Sequence, residues 1–281
     1  PTLQMGFFAD DYSHQVALRG LSPESPMKPW NLYDFGTAPR PGDAMHELGA
    51  YPWWTPPEWK ARFFRPLTSL SLWLDHVVFG GWATGYHLTS LAIFGILVWL
   101  LFGLFRAVGL SDRTSIVALL IFVCSDSSLL PVGWPANRNT LLECTFLAAS
   151  LLIAIRAVQS ERSWLLMPAI VLGIGALLSK ESGIEAMVLI PAFAYWVHDR
   201  SRGPAPSRAT LVACTVCFLT AATYLALYIA AGFGTTTAFY PMPWTEPVAF
   251  ATRLFVLIAV APFSFLGLAP IDLFSLAPAV A

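Results

Sequence analysis

Charge is what this sequence has least of. Charged side chains fill 12 % of its 281 positions, about half the ~25 % common in soluble domains. The 16 basic and 17 acidic residues leave a net charge of −1. That balance supplies no basic field to hold nucleic acid, so that class of partner is set aside. Cysteine is scarce as well: Cys124, Cys144, Cys214 and Cys217 all sit in apolar runs, where a thiol behaves as a small hydrophobe. Cys214 and Cys217 form a C-x-x-C with no second pair and no His cluster beside it, which argues against a zinc or redox site. An initiator Met and a positively charged leader are also missing. A chain opening at Pro1 and closing in an apolar tail at Ala281 reads as a fragment, with a membrane helix expected before it.

What fills the sequence is hydrophobic: 56 % of residues are apolar or aromatic, and the mean hydropathy is +0.62. That profile predicts an all-α, polytopic membrane bundle forming a single domain over 1–281. Residues 1–85 are expected as an extracytoplasmic first loop and 86–281 as the transmembrane bundle. Pro23, Pro26, Pro29, Pro39, Pro41, Pro52, Pro56 and Pro57 forbid long regular elements in the loop, since each removes a donor and fixes φ. Trp30, Trp53, Trp54 and Trp59 suit either a headgroup layer or a small aromatic core. Leu67, Leu70, Leu74, Val77 and Val78 recur at helical spacing behind Pro66, so an interfacial helix is expected over about 66–79, closed by Gly80-Gly81.

Seven spans are expected, near 86–107, 113–130, 139–157, 163–179, 182–198, 208–231 and 248–268. Alternate connections carry the arginines: Arg106 and Arg113, then Arg156 and Arg162, then Arg200, Arg202 and Arg208. Positive residues in short loops mark the cytoplasmic side. The other side is therefore extracytoplasmic, and it gathers Asp10-Asp11, Arg65, His87, the Trp134–Asn139 loop with Glu143 behind it, and Ser179-Lys180-Glu181. Each has an ordinary explanation by itself: adjacent acids suit a turn or a helix N-cap, an arginine can snorkel, and Lys-Glu suits a solvated helix end. Together they place carboxylates and cations around one outer boundary. Cations there suit a phosphate, Arg as a fork and Lys as a point charge. A carboxylate beside them suits a general base or a divalent-metal ligand.

Phe8-Ala9-Asp10-Asp11, Arg65-Pro66-Leu67-Thr68, Gly85-Tyr86-His87-Leu88, Gly133-Trp134-Pro135-Ala136-Asn137-Arg138-Asn139 and Leu178-Ser179-Lys180-Glu181, in this order, resemble the GT-C integral-membrane glycosyltransferases. The nearest branch is the protein-mannosyltransferase-like proteins and the tetratricopeptide-bearing (TMTC-like) O-mannosyltransferases. The resemblance implies a polyprenyl-phosphate sugar donor, a hydroxyl acceptor on protein, glycan or lipid, inversion at the anomeric carbon, and a plasma (inner) membrane enzyme active on the extracytoplasmic face. It implies Asp11 or Asp10 as the catalytic acid, with Asp11 placed first, and Arg65, Arg138 and Lys180 as groups facing the donor phosphate. His87, Glu181 and Asn139 are expected in support, and Mg or Mn is a candidate cofactor at Asp10 and Asp11. The chain departs from many relatives in lacking a His-Pro pair and following Glu before the arginine loop; Ser125-Asp126 and Leu130 stand near those places. No tetratricopeptide or other internal repeat is evident. A transporter or flippase with a polar outer cavity, or an assembly subunit, is the competing class. Charges clustered at one boundary rather than at the midplane favour the enzyme.

Overall fold

The computed structural model of the protein describes residues 2–21, 25–38, 55–203, 207–236 and 246–265. Pro23, Pro39, Pro41, Pro52, Trp53, Trp54 and the end of the last expected span lie outside the described residues. The chain order is α1 (Asp10–Leu18), β1 (Asp34–Thr37), β2 (Lys60–Arg62), α2 (Pro66–Phe79), α3 (Ala83–Ala107), α4 (Asp112–Val123), α5 (Asp126–Gly133), α6 (Arg138–Gln159), α7 (Leu166–Ser179), α8 (Ala186–Arg202), α9 (Arg208–Ala230), β3 (Gly234–Thr235) and α10 (Pro247–Phe265).

Local chemistry explains the helix ends. Pro66 occupies the first turn of α2, where its missing N–H costs nothing. Ser111 and Ser207 cap α4 and α9 by accepting the Thr114 and Thr210 amides at 3.2 and 3.1 Å. The expected 113–130 span divides at Cys124-Ser125 into α4 and α5, where the Ser128 hydroxyl binds the Val123 and Ser125 carbonyls in competition with the helix ladder. The expected 182–198 helix starts later, because Glu181–Glu185 form a tight 3-10 turn.

Among the described residues, three helical runs are long and apolar enough to cross a membrane: Ala83–Ala107, Pro135–Gln159 and Arg208–Ala230. At 25 residues, the first two exceed a ~30 Å hydrocarbon core at ~1.5 Å rise per residue. Ser163–Ser179 and Pro247–Ala259 are apolar but shorter. The outward faces agree with lipid contact: Trp99, Phe218 and Ile229 are each at least 70 % exposed. Inside, α6, α7, α8 and α9 meet through small residues. Ala154, Ala169, Ala176, Ala186 and Ala194 have no exposed surface, and a Cβ on Gly173 would lie 2.8 Å from both Ile190 and Met187. Small side chains let helices approach closely where lipid supplies no hydrophobic drive.

Among the described residues, the first loop contributes α1 and two strands of a three-stranded antiparallel sheet ordered β1-β2-β3, a small β element beside the helices. Asp34 pairs with Arg62 and Ala61 with Thr235, so the loop is stitched to the chain leaving α9. Arg62 Nε and Nη2 each donate to Asp34 at 2.9 Å, and the guanidinium stacks 5.1 Å from the Phe233 ring centre. Beneath this strap, Ala17, Leu32, Tyr33, Leu72 and Tyr86 form a core between loop and bundle.

Candidate active site

The polar residues singled out from the sequence converge where α1, α2, the loop before α6 and the turn after α7 meet. One junction among them is the backbone of Ala136. Its N–H donates to Asp11 Oδ1 at 2.6 Å, and its carbonyl accepts from the Tyr33 hydroxyl at 2.6 Å and from Asn139 Nδ2 at 3.3 Å. Burial pushes the Tyr33 phenol above its ordinary pKa and keeps it a donor. His14 packs 4.9 Å from Tyr33 and 6.1 Å from Phe35; burial lowers its pKa to about 3, so it is a neutral core residue.

The two neighbouring acids occupy different environments. Asp11 is 3 % exposed, and both oxygens are engaged: Oδ1 by Ala136 and Oδ2 by the Phe8 amide at 2.9 Å. Burial outweighs those bonds and pushes its pKa up to about 6. Asp10 is exposed. Desolvation by the surrounding fold raises its pKa, and the charge of Arg65 acts against that rise.

Arg65 is held in place rather than left to wander. Its guanidinium lies 4.5 Å from the Phe63 ring centre and 5.0 Å from that of Tyr33, while Nε and Nη2 reach Glu181 Oε2 at 2.9 and 2.8 Å. Glu181 Oε1 accepts the Phe64 amide at 3.2 Å, and Thr68 donates to the Ser179 carbonyl at 2.9 Å. The start of α2 is thereby docked on the Ser-Lys-Glu turn. Lys180 turns the other way: its Nζ bonds Thr140 Oγ1 at 3.0 Å and lies 3.9 Å from Glu143, with 31 % of the side chain open. The turn itself depends on Gly183, where a Cβ would fall 2.3 Å from the Ala176 carbonyl carbon.

Arg138, expected from the resemblance to face a donor phosphate, has no exposed surface. It pairs with Asp75 at 2.5 Å and donates to Ser90, Ser71 and the Tyr86 carbonyl at 3.1, 3.0 and 2.6 Å. A fully buried cation with a buried counter-charge is a joint between helices, here α2, α3 and α6. Asp75, 5 % exposed and also bonded by Thr89 at 2.7 Å, is the partner that sequence reasoning missed. The signal was available: an acid among Leu72, Leu74, Val77 and Val78 needs a cation. His87 is fully buried beside the backbone of Met5 and Gly6. Asn139 is buried between Ala136 and Thr140. Both support the fold at this end.

The acids do not form a ready metal cage. Among the described residues no group of three or more His, Cys, Asp or Glu converges as a metal site. With Asp11 occupied by two amides, Asp10 is the one carboxylate of the pair left open, whereas a divalent ion prefers about six oxygens.

Among the described residues, three membrane-length helices point to an integral membrane protein, and aromatic and charged side chains are drawn together at one end of it. Residues 65–227 match the family described as dolichyl-phosphate-mannose-protein mannosyltransferase, and the chain belongs to that family. It is also similar to the protein O-mannosyl-transferase Tmtc1 of Drosophila melanogaster, with 27 % identity over 190 residues, 67 % of this chain. The chain covers 20 % of that relative's length. No solved structure matches it. The matched family region begins at Arg65 and takes in Arg138, Lys180 and Glu181, but not Asp10 or Asp11.

Proposed function

We propose that this chain forms the catalytic end of a mannosyltransferase that moves its sugar from a polyprenyl-phosphate donor to an acceptor hydroxyl on the extracytoplasmic face. The observation that carries the reading is the contrast at the first-loop acids. Asp11 is consumed by two backbone amides, whereas Asp10 presents an open carboxylate within the field of an immobilised Arg65.

In the reaction so proposed, Asp10 accepts the acceptor's O–H proton as the oxygen attacks the anomeric carbon. The bond between that carbon and the phosphate oxygen breaks on the opposite side, and the polyprenyl phosphate leaves with the electron pair. Displacement in line inverts the configuration. Charge grows on the departing phosphate, and cations already fixed in place stabilise it without reorganisation. Arg65 fits that task because Phe63, Tyr33 and Glu181 fix its plane, and Lys180 supplies a second charge with an open side. Arg138 holds the helices instead.

The test is transfer of labelled mannose from a polyprenyl phosphate by the intact protein in membranes, with the anomeric configuration of the product read by NMR. An inverted product formed on the outer face is expected. Retention would contradict the single displacement, and translocation of the lipid without sugar transfer would favour a flippase.

A further inference from the structure

The backbone immediately before Asp10 is strained. Ala9 has φ 45° and ψ −117°, outside the wells open to a residue with a Cβ and typical of glycine. Such a conformation is disfavoured on the order of ten- to a hundredfold unless the surroundings enforce it. Here they do. The Asp11 amide donates to the Phe8 carbonyl at 3.0 Å, and the Phe8 amide donates back to Asp11 Oδ2 at 2.9 Å, closing the Phe8–Asp11 turn from both sides. Asp11 Oδ1 pins the turn to the Ala136 amide at 2.6 Å. Phe8 adds an edge-on contact with Trp134, with ring centres 5.7 Å apart. The strained residue is thus fastened to the loop before α6 by one carboxylate.

We infer that Asp11 is a positioning residue: by clamping the strained Ala9 turn against the Ala136 loop, it aims the exposed Asp10 carboxylate at the reacting hydroxyl. The inference rests on the proposed role of Asp10 as base. Without the clamp, Ala9 relaxes to negative φ, the peptide before Asp10 rotates, and the carboxylate swings away. Substrate binding is little affected, because Arg65 and Lys180 hang from α2, α7 and α6. The turnover step carries the loss.

Four forms of the intact protein test this: parental, Asp10→Asn, Asp11→Asn, and Asp11→Asn combined with Ala9→Gly. Asp11→Asn turns an N–H2 donor toward one of two backbone donors and opens the clamp. We expect kcat to fall about ten- to a hundredfold, the strain the clamp now offsets, with the KM for the lipid-phosphate donor within about twofold. Glycine at position 9 adopts the observed φ and ψ without a Cβ clash. The double variant therefore recovers at least about fivefold in kcat over Asp11→Asn. A merely structural loss moves melting temperature and expression but gives no such kcat rescue. Failure of the double variant to exceed Asp11→Asn, while Asp10→Asn is inactive, overturns the positioning role and leaves the base assignment standing. Parental turnover in Asp10→Asn overturns the base assignment itself, whatever Asp11 does.

Discussion

Replacing Asp75 by asparagine should show what Arg138 is for. The guanidinium is wholly enclosed, and its other partners are neutral: the Ser90 and Ser71 hydroxyls and the Tyr86 carbonyl. Asp75→Asn leaves those bonds in place and removes the counter-charge. Breaking a buried pair from one side costs about 3–5 kcal/mol, and the surviving neutral bonds place this case near the lower figure. The reverse change, Arg138→Met, strands the acid. Burial already raises the Asp75 pKa against the opposing pull of Arg138, so without the arginine the carboxyl takes up a proton and limits its own penalty. Removing both charges together, as Asp75→Leu with Arg138→Met, should cost less than the sum of the single changes by about 2 kcal/mol or more, since no uncompensated ion is left. The assay is denaturant unfolding of the four proteins in one detergent, analysed as a double-mutant cycle. Additive effects, or Asp75→Asn within about 0.5 kcal/mol of parental, would refute the joint. An Arg138→Lys protein of parental stability with a raised donor KM would return Arg138 to the phosphate.

Glu181→Gln should loosen Arg65 and raise the donor KM about ten- to a hundredfold, in line with ~1.5–3 kcal/mol for a charge-assisted bond; steady-state kinetics with varied donor reads it, and an effect on kcat alone would contradict it. Gly183→Ala should destabilise by about 3 kcal/mol or more, because its Cβ meets backbone that cannot rotate away, and thermal unfolding reads the loss. The pH dependence has two signs. Asp11 is pushed up to about 6 in the folded protein, above the ordinary 3.8, so the folded state binds the extra proton between those values. Unfolding stability should therefore rise as pH falls from about 6 toward 4, while kcat falls as pH drops, because the Asp11 clamp loses its charge and the Asp10 base, its pKa also raised by desolvation, takes up a proton. Parallel loss of both would contradict the assignment.

Much of the helical plan was legible in the sequence, because apolar length and periodicity are local properties. The helix over Pro66–Phe79 ends where Gly80 takes φ 59°, and the long helices at Ala83–Ala107 and Arg208–Ala230 match their expected ranges closely. The first loop was legible in composition only. Its prolines argued against long elements, but β2 forms because partners far away in sequence, Asp34 and Gly234, come to it. Tertiary context of that kind leaves no local trace.

For the candidate site, the sequence offered charged residues near one boundary but not their environments. Asp10 and Asp11 look interchangeable in sequence; the fold buries one and exposes the other, and the Ala136 and Phe8 amides hold Asp11 as the buried one. Arg138 and Arg65 look alike for the same reason. Charge type is written in the sequence, but whether a charge faces a partner or an opening depends on what Asp75 and Glu181 reach across α2 and α7.

The most direct test of the account is single-turnover mannosyl transfer by Asp10→Asn in the intact protein, measured at saturating polyprenyl-phosphate mannose beside a donor-binding measurement. Donor binding is expected to stay within about twofold and the transfer rate to fall by about 10²-fold or more, the usual loss on removing a general base. A transfer rate equal to that of the parental protein, with the donor bound, would contradict it.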